Sequence, residues 1–228
     1  MPAPGVQLLA TAPGASALVA MPEAAGGGVV VLGGEAAQFV PASASRGGPV
    51  KLDLEEAMVI AGWSVEPEGK LLVSTDRGQL IEVVLQRGDE DEDEDEALGS
   101  AGVAMEDGGA SSGAAEDARV VRRSPVRGLA VSELGTGCVA TSIAPLGDGY
   151  YFLGSCFGDS LMVRVTDEVD EESGERLVIE DNYPNLGPIQ DMCLVKRAGE
   201  AEGQLVTCSG AFGDSSLRVV RHGIGIEQ

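Results

Sequence analysis

A hairpin that recurs along the chain constrains the fold more than any other feature of the sequence. Three clear copies occupy residues 70–85, 150–165 and 204–220, and a weaker copy occupies residues 29–40. Each clear copy has an apolar strand, small residues, a glycine, one or two polar residues, and a second strand that opens with Leu. Runs of apolar β-formers bounded by turn residues are typical of hairpins. The pattern therefore predicts an all-β chain.

An acidic segment, residues 87–118, interrupts this pattern between the first two clear hairpins. It holds 12 acidic residues and one basic residue, and eight of the acids form the unbroken run 89–96. It has too few apolar side chains to offset the entropy cost of ordering. We therefore predict that residues 87–118 are a disordered insertion in a hairpin connection.

The spacing of the hairpin glycines predicts the architecture. Gly34 and Gly78 are 44 residues apart, Gly78 and Gly158 are 80 apart (48 without the 32-residue insertion), and Gly158 and Gly213 are 55 apart. A period of about 40–50 residues with several short strands is typical of propeller blades, which are four-stranded antiparallel sheets. The sequence therefore predicts a partial β-propeller of about four blades, over residues 1–86 and 119–220. The alternative is a β-sandwich, which does not explain the repeated hairpin.

An array of about four blades has a physical consequence. Closed propellers usually need more blades, and an open array leaves blade faces uncovered. We therefore expect this chain to form part of a larger propeller protein.

No catalytic, metal or cofactor site is predicted. The chain has one histidine, His222, and its four cysteines form no CxxC pair. The Asp-Ser pairs at 159–160 and 214–215 are interpreted as turn formers that bond nearby backbone amides. Cys193 and Cys208 lie in apolar strands and are expected to be buried, whereas Cys156 lies in a turn and is the candidate exposed thiol.

Charge and hydropathy limit the classes of partner. The formal net charge of −22 disfavours direct binding to nucleic acid or to an anionic membrane surface. No apolar run reaches the ~18 residues of a membrane span, and we expect a soluble, intracellular protein. Phe157, Phe212 and Tyr183 occupy or flank turns, where exposed aromatic side chains are candidate contacts for a protein partner.

The last 45 residues resemble a known family. Asn185 to Ile189, Asp191 to Cys193, Gly203 to Phe212, Ser216 to Arg218 and Gly223 to Ile226 closely resemble the large subunit of the damage-specific DNA-binding protein, the propeller adaptor of cullin-4 ubiquitin ligases. The resemblance extends more diffusely over residues 16–86 and 119–184. It implies that the chain represents later blades of the first of three propellers, with residues 221–228 as a linker towards the second.

The resemblance also implies function. It suggests a non-enzymatic adaptor segment, nuclear and cytoplasmic, that presents WD40-type substrate receptors to the cullin-4 ligase in DNA repair and protein turnover. The cleft-facing positions of the family correspond to Cys156 and Phe157 in one turn and to Pro188 and Ile189 in another. Members of the family usually have a basic residue and Leu where this chain has Cys156 and Phe157, so a charge is lost there.

Three alternatives stay open on the sequence. Pro188 and Ile189 could serve only to shape the start of a strand. Subunits of splicing and polyadenylation complexes share the architecture, so the chain could instead be an RNA-processing scaffold. A hydrolase on a propeller would need clustered carboxylates or metal ligands at the central channel, and the sequence offers no such cluster beyond the acidic run.

Overall fold

The computed structural model describes residue 11 and residues 13–43, 47–88, 125–171, 173–196 and 203–220. Within these ranges fourteen β-strands form four separate antiparallel sheets, accompanied by two short 3-10 turns at Glu23–Ala25 and Phe212–Asp214. No α-helix occurs in this part of the chain. The prediction of an all-β, partial propeller is confirmed.

Each sheet is a meander in which strands pair with their neighbours along the chain. Blade 1 contains β1 (Ala17–Ala20), β2 (Val29–Val40) and β3 (Val50–Met58). Blade 2 contains β4 (Ile60–Val65), β5 (Leu71–Thr75), β6 (Gln79–Arg87) and β7 (Val126–Thr136). Blade 3 contains β8 (Ser142–Gly147), β9 (Tyr150–Gly154), β10 (Ser160–Val165) and β11 (Leu177–Tyr183). Blade 4 contains β12 (Ile189–Val195), β13 (Gln204–Ser209) and β14 (Ser216–Val220).

The prediction of a hairpin is confirmed at the three clear copies and is wrong at the weak fourth copy. The correct hairpins are β5–β6, β9–β10 and β13–β14. Residues 29–40 instead form one continuous strand, β2, which pairs with β1 through its first part and with β3 through its second. Gly33 and Gly34 have φ values of +114° and +65°, and a Cβ on Gly34 would lie 2.1 Å from the Pro13 carbonyl oxygen. These glycines let the backbone of residues 13–14 approach the strand, rather than reversing the chain.

Apolar side chains join the first three blades into two cores. Val19, Leu32 and Phe39 of blade 1 meet Leu71 and Val83 of blade 2 in one buried cluster. The second cluster joins blades 2 and 3, and its buried members are Leu72, Leu80, Leu134, Cys138, Ala140, Ile143, Tyr151, Leu153, Leu161, Val163 and Leu177. Because successive side chains of a strand point to opposite faces, blade 2 contributes to both cores, with Leu71 and Ile81 on one side and Leu72 and Leu80 on the other.

The acidic segment connects two strands that pair with each other. Arg87, the last residue of β6, lies opposite Val126, the first residue of β7. An insertion between adjacent strands leaves the rest of the sheet intact, which is why such connections tolerate it. The predicted disorder concerns residues 87–118, of which those from 89 onward lie outside the described residues, as does the predicted linker 221–228.

One face of blade 4 is uncovered by any described residue. In the strand register, Cys193, Val195, Cys208, Leu217 and Val219 lie on the same face of the sheet. All five are exposed, and Leu217 is 74% exposed. The expected burial of Cys193 and Cys208 is therefore wrong, because no described strand packs against this face. The expectation that an open array leaves a blade face uncovered is confirmed.

This exposed face predicts how the 228-residue chain behaves in solution. We expect Leu217→Lys combined with Val219→Lys to reduce self-association, because large exposed apolar patches drive aggregation. The two lysines also bring the net charge of −22 closer to zero, which by itself favours association, so a reduction reports the lost apolar area. Light scattering at several concentrations measures the effect. An equal reduction by Val169→Lys, at an exposed site on blade 3, would contradict this explanation.

Candidate partner-binding site

The first turn of the site joins β9 to β10 in blade 3. Two serines close it: the Phe157 amide donates to Ser155 Oγ at 3.1 Å, and the Ser155 amide donates to Ser160 Oγ at 3.1 Å. Cys156 at the tip is exposed, as predicted. Phe157 is half-buried. The turn therefore presents a thiol to solvent and turns its aromatic ring towards blade 4.

The second turn leads from β11 into β12. The Gly187 amide donates to Asn185 Oδ1 at 2.9 Å, which is an Asx-type turn. The Gly187–Pro188 peptide bond is cis, and Ile189 opens β12 with 47% of its surface exposed. Pro188 itself is half-buried. Of the two predicted contact residues here, Ile189 is the accessible one.

A third turn, after β13, touches both of the others. The Gly210 amide donates to the Pro188 carbonyl at 3.0 Å, and the Ala211 amide donates to the Phe157 carbonyl at 2.7 Å. The rings of Phe157 and Phe212 pack edge to face with centroids 5.0 Å apart. The structure thus brings the turns that carry the four predicted residues against residues 210–212. Phe212 is 65% exposed, so it adds an aromatic surface between them.

Asp159 links the first two turns and the last strand. Its Oδ1 accepts from the Asn185 amide at 2.8 Å, and its Oδ2 accepts from Arg218 Nη2 at 2.8 Å. Burial raises the pKa of Asp159, but hydrogen bonds from Arg218 and the Asn185 amide outweigh burial and leave the pKa below its usual value. The carboxylate is therefore held ionised between the two blades.

Asp214 makes the reciprocal contact from blade 4 to blade 3. Its Oδ2 accepts from the Val139 amide at 3.1 Å, across 75 residues of sequence. Beside it, burial raises the pKa of the Cys138 thiol to about 11, with a further contribution from the Asp214 charge, so this thiol stays protonated.

The interpretation of the two Asp-Ser pairs is half correct. Ser160 and Ser215 bond within their own turns. Asp159 and Asp214 instead bond distant backbone amides, because the neighbouring blade brings those amides within reach. Sequence reasoning also missed Asn185 and Arg218. Asn two residues before Gly is a turn signal that could have revealed Asn185, whereas nothing local marks Arg218.

The three turns together expose apolar and aromatic side chains, among them Ile189 and Phe212, and are held by hydrogen bonds between their backbones. Among the described residues, no group of three or more His, Cys, Asp or Glu side chains could hold a metal ion. No helix in the described part of the chain is long and apolar enough to cross a membrane.

Residues 7–198 match the family model described as the RSE1/DDB1/CPSF1 first beta-propeller. The chain belongs to this family. The match covers blades 1–3 and β12 of blade 4, so the family assignment and the four observed sheets agree.

Curated relatives of this RSE1/DDB1/CPSF1 propeller extend the match. DNA damage-binding protein 1 of Oryza sativa subsp. japonica is 33% identical over 217 residues, which cover 94% of this chain and 16% of the rice protein. DNA damage-binding protein 1a of Arabidopsis thaliana is 45% identical over 103 residues, or 45% of this chain and 9% of that protein. DNA damage-binding protein 1 of Solanum lycopersicum is 43% identical over 103 residues, with the same coverage. The chain thus spans less than a fifth of the length of these relatives.

Proposed function

We propose that this chain is the propeller segment of a ubiquitin-ligase adaptor that presents substrate receptors to a cullin-4 ligase in DNA repair and protein turnover. Family membership and relatives named DNA damage-binding protein 1 support this proposal. The observation that carries it is the meeting of two loop segments, each with a predicted contact residue, at residues 210–212. A non-catalytic docking role fits a surface built from exposed apolar turn residues.

The mechanism is presentation of a contact surface. A helical motif of a WD40-type receptor would place apolar side chains against Phe212 and Ile189, as amphipathic helices do in other grooves. Well-packed aromatic and aliphatic anchors usually supply most of the binding energy. Cys156, at the edge of this surface, adds a small side chain where the family usually has a cation. The cullin would be bound by other parts of the full-length protein.

We expect Ile189→Asp, in the full-length protein, to weaken capture of a purified WD40-type receptor by at least about tenfold, because a charge would be buried in an apolar contact. Ile189 suits the test because it is half exposed at the start of β12. Phe157→Asp would also weaken capture, but it removes the ring contact with Phe212 as well. Titrated pull-down or biolayer interferometry gives the affinity.

The matched control is Val169→Asp. Val169 is 57% exposed and lies in the β10–β11 connection, at the opposite end of blade 3 from Cys156. Val169→Asp also replaces an exposed apolar side chain by a carboxylate, but outside the proposed surface, so receptor capture should be unchanged. Equal affinities for wild type and Ile189→Asp would refute the site, and failure of the wild-type protein to capture any receptor would refute the function.

An RNA-processing scaffold is the alternative with the same architecture. The names of the relatives favour the adaptor role over it. Direct nucleic-acid binding by this segment is not proposed, given its net charge of −22. Residence in the nucleus and cytoplasm is part of the proposal, and fractionation of cells that express the tagged full-length protein tests it.

A further inference from the structure

The contact between blades 3 and 4 differs in kind from the other two blade contacts. Blades 1 and 2 share one apolar cluster, and blades 2 and 3 share the other. In the described part of blade 4, by contrast, no apolar side chain belongs to either cluster. Its buried residues are Thr207, Ser209 and Gly210. The placement of blade 4 must therefore depend on other contacts.

The side-chain hydrogen bonds between blades 3 and 4 converge on one place. We call Asp159, Asn185, Asp214 and Arg218, with the Val139 amide, the polar junction. Asp159 reaches the turn before β12 and, through Arg218, also reaches β14, so one carboxylate fixes two parts of blade 4. Asp214, on blade 4, accepts a hydrogen bond from the Val139 amide just before β8 and so links blade 4 to blade 3 at a further point. The ring pair of Phe157 and Phe212 is the apolar contact beside them.

The space around the polar junction is not filled by apolar side chains. An open pocket of about 230 Å³ lies there, between the two blades. Its lining combines polar and apolar residues and consists of Thr136, Gly137, Cys138, Asp159, Leu161, Ile179, Asn182, Asp214 and Arg218. Loss of one polar partner would consequently not be compensated by tight packing, which elsewhere holds neighbouring elements in place.

We propose that Asp159 and Arg218 are positioning residues that set blade 4 against blade 3 and thereby align the two halves of the candidate partner surface. Cys156 and Phe157 lie on blade 3, whereas Pro188, Ile189 and Phe212 lie on or lead into blade 4. The two halves of the surface keep a fixed arrangement only if blades 3 and 4 keep a fixed placement relative to each other. As a statement about receptor binding, this inference rests on the proposed function; as a statement about blade placement, it does not.

The burial and geometry of the Asp159–Arg218 ion pair explain why it can fix blade 4 against blade 3. The Arg218 and Asp159 side chains are 28% and 17% exposed, and Nη2 and Oδ2 are 2.8 Å apart. Solvent screens such a pair less than an exposed one, and removal of one partner leaves the other charge partly buried and unpaired. Arg218 is further oriented by its Nε, which donates to Ser216 Oγ at 2.8 Å.

Four variants, each made in the full-length protein, test the proposal. Asp159→Asn keeps the oxygen that accepts from Asn185 but removes the charge that pairs with Arg218. Arg218→Met removes the guanidinium, and the double variant completes a mutant cycle. Arg164→Met is the matched control, because it breaks an ion pair with Glu180 at 2.7 Å that lies within blade 3 and does not join blades.

Hydrogen exchange provides a readout that a general loss of stability would not reproduce. We expect the amides of Asn185 and Ala211, whose hydrogen bonds to Asp159 and Phe157 join the two blades, to exchange at least about tenfold faster in each single variant. The amides of Val73 and Val83, in the core of blades 1 and 2, should change less than about twofold, because local opening leaves distant elements protected. Exchange at these amides should be no faster in the double variant than in the single ones, and Arg164→Met should exchange at the wild-type rate.

Receptor affinity is measured on the same proteins. It should fall in Asp159→Asn and Arg218→Met, and not in Arg164→Met. Uniformly faster exchange, or unchanged exchange at Asn185 and Ala211, would overturn the positioning role. Faster local exchange with full receptor affinity would overturn the link to the partner surface. Failure of the wild-type protein to bind a receptor would refute the proposed function, and the exchange data would still decide the positioning role.

Discussion

Leu153→Ala is expected to lower the free energy of unfolding by about 2–5 kcal/mol, the cost of removing a buried leucine and leaving a cavity. Leu153 lies in β9 and is 1% exposed. It belongs to the cluster that joins blades 2 and 3, so the cavity would open at a contact between blades. Such interfaces are densely packed and collapse only partly around a void.

Leu146→Ala is the control for this effect. Leu146 lies in β8 of the same blade and is 57% exposed, so its truncation should change stability by less than about 0.5 kcal/mol. Urea denaturation followed by Trp63 fluorescence measures both variants. Similar losses from the two substitutions would mean that blades 2 and 3 do not share a packed core.

Gly210→Ala is expected to cost about 2 kcal/mol or more and to disrupt the candidate site. Gly210 has a φ of +84°, a left-handed conformation that costs an L-residue about 1–2 kcal/mol. A Cβ there would also lie 2.3 Å from the Asp214 carbonyl oxygen and 2.9 Å from that of Phe157. The turn must move to relieve this overlap, and it would take with it the hydrogen bonds to Pro188 and Phe157. Receptor capture should fall together with stability.

Gly213→Ala, three residues along the same turn, is the matched control. A Cβ at Gly213 would have no atom within 4 Å, so the substitution should leave stability within about 0.5 kcal/mol and receptor capture unchanged. Denaturation curves and receptor titrations on the two variants decide the matter. Tolerance of Ala at Gly210 would show that the turns bearing Phe157 and Pro188 are not held by residues 210–212.

The site shows where sequence reasoning succeeds and where it fails. Cys156, Phe157, Pro188 and Ile189 come from the family resemblance, and the exposed position of Cys156 was predictable from its turn. The contacts of Asp159 were not, because it bonds Asn185 and Arg218 across 26 and 59 residues. Only the relative placement of two blades brings these groups together.

The sequence by itself determined the class of fold and most of the local structure. Apolar alternation and a fixed hairpin pattern are local properties, so they placed β5–β6, β9–β10 and β13–β14 correctly. Local pattern could not distinguish a turn at Gly33 and Gly34 from a strand that another segment approaches closely, because glycine suits both. That choice depended on Pro13 and Gly14, which pack against the strand.

The tertiary structure alone decided which faces are covered. Cys193 and Cys208 lie in strands as apolar as those of the core, yet they are exposed because no described sheet packs on their side of blade 4. The same stacking decided that blades 1–3 share apolar cores whereas blade 4 is held through a polar junction. Burial depends on what lies opposite a side chain, and that neighbour is remote in sequence.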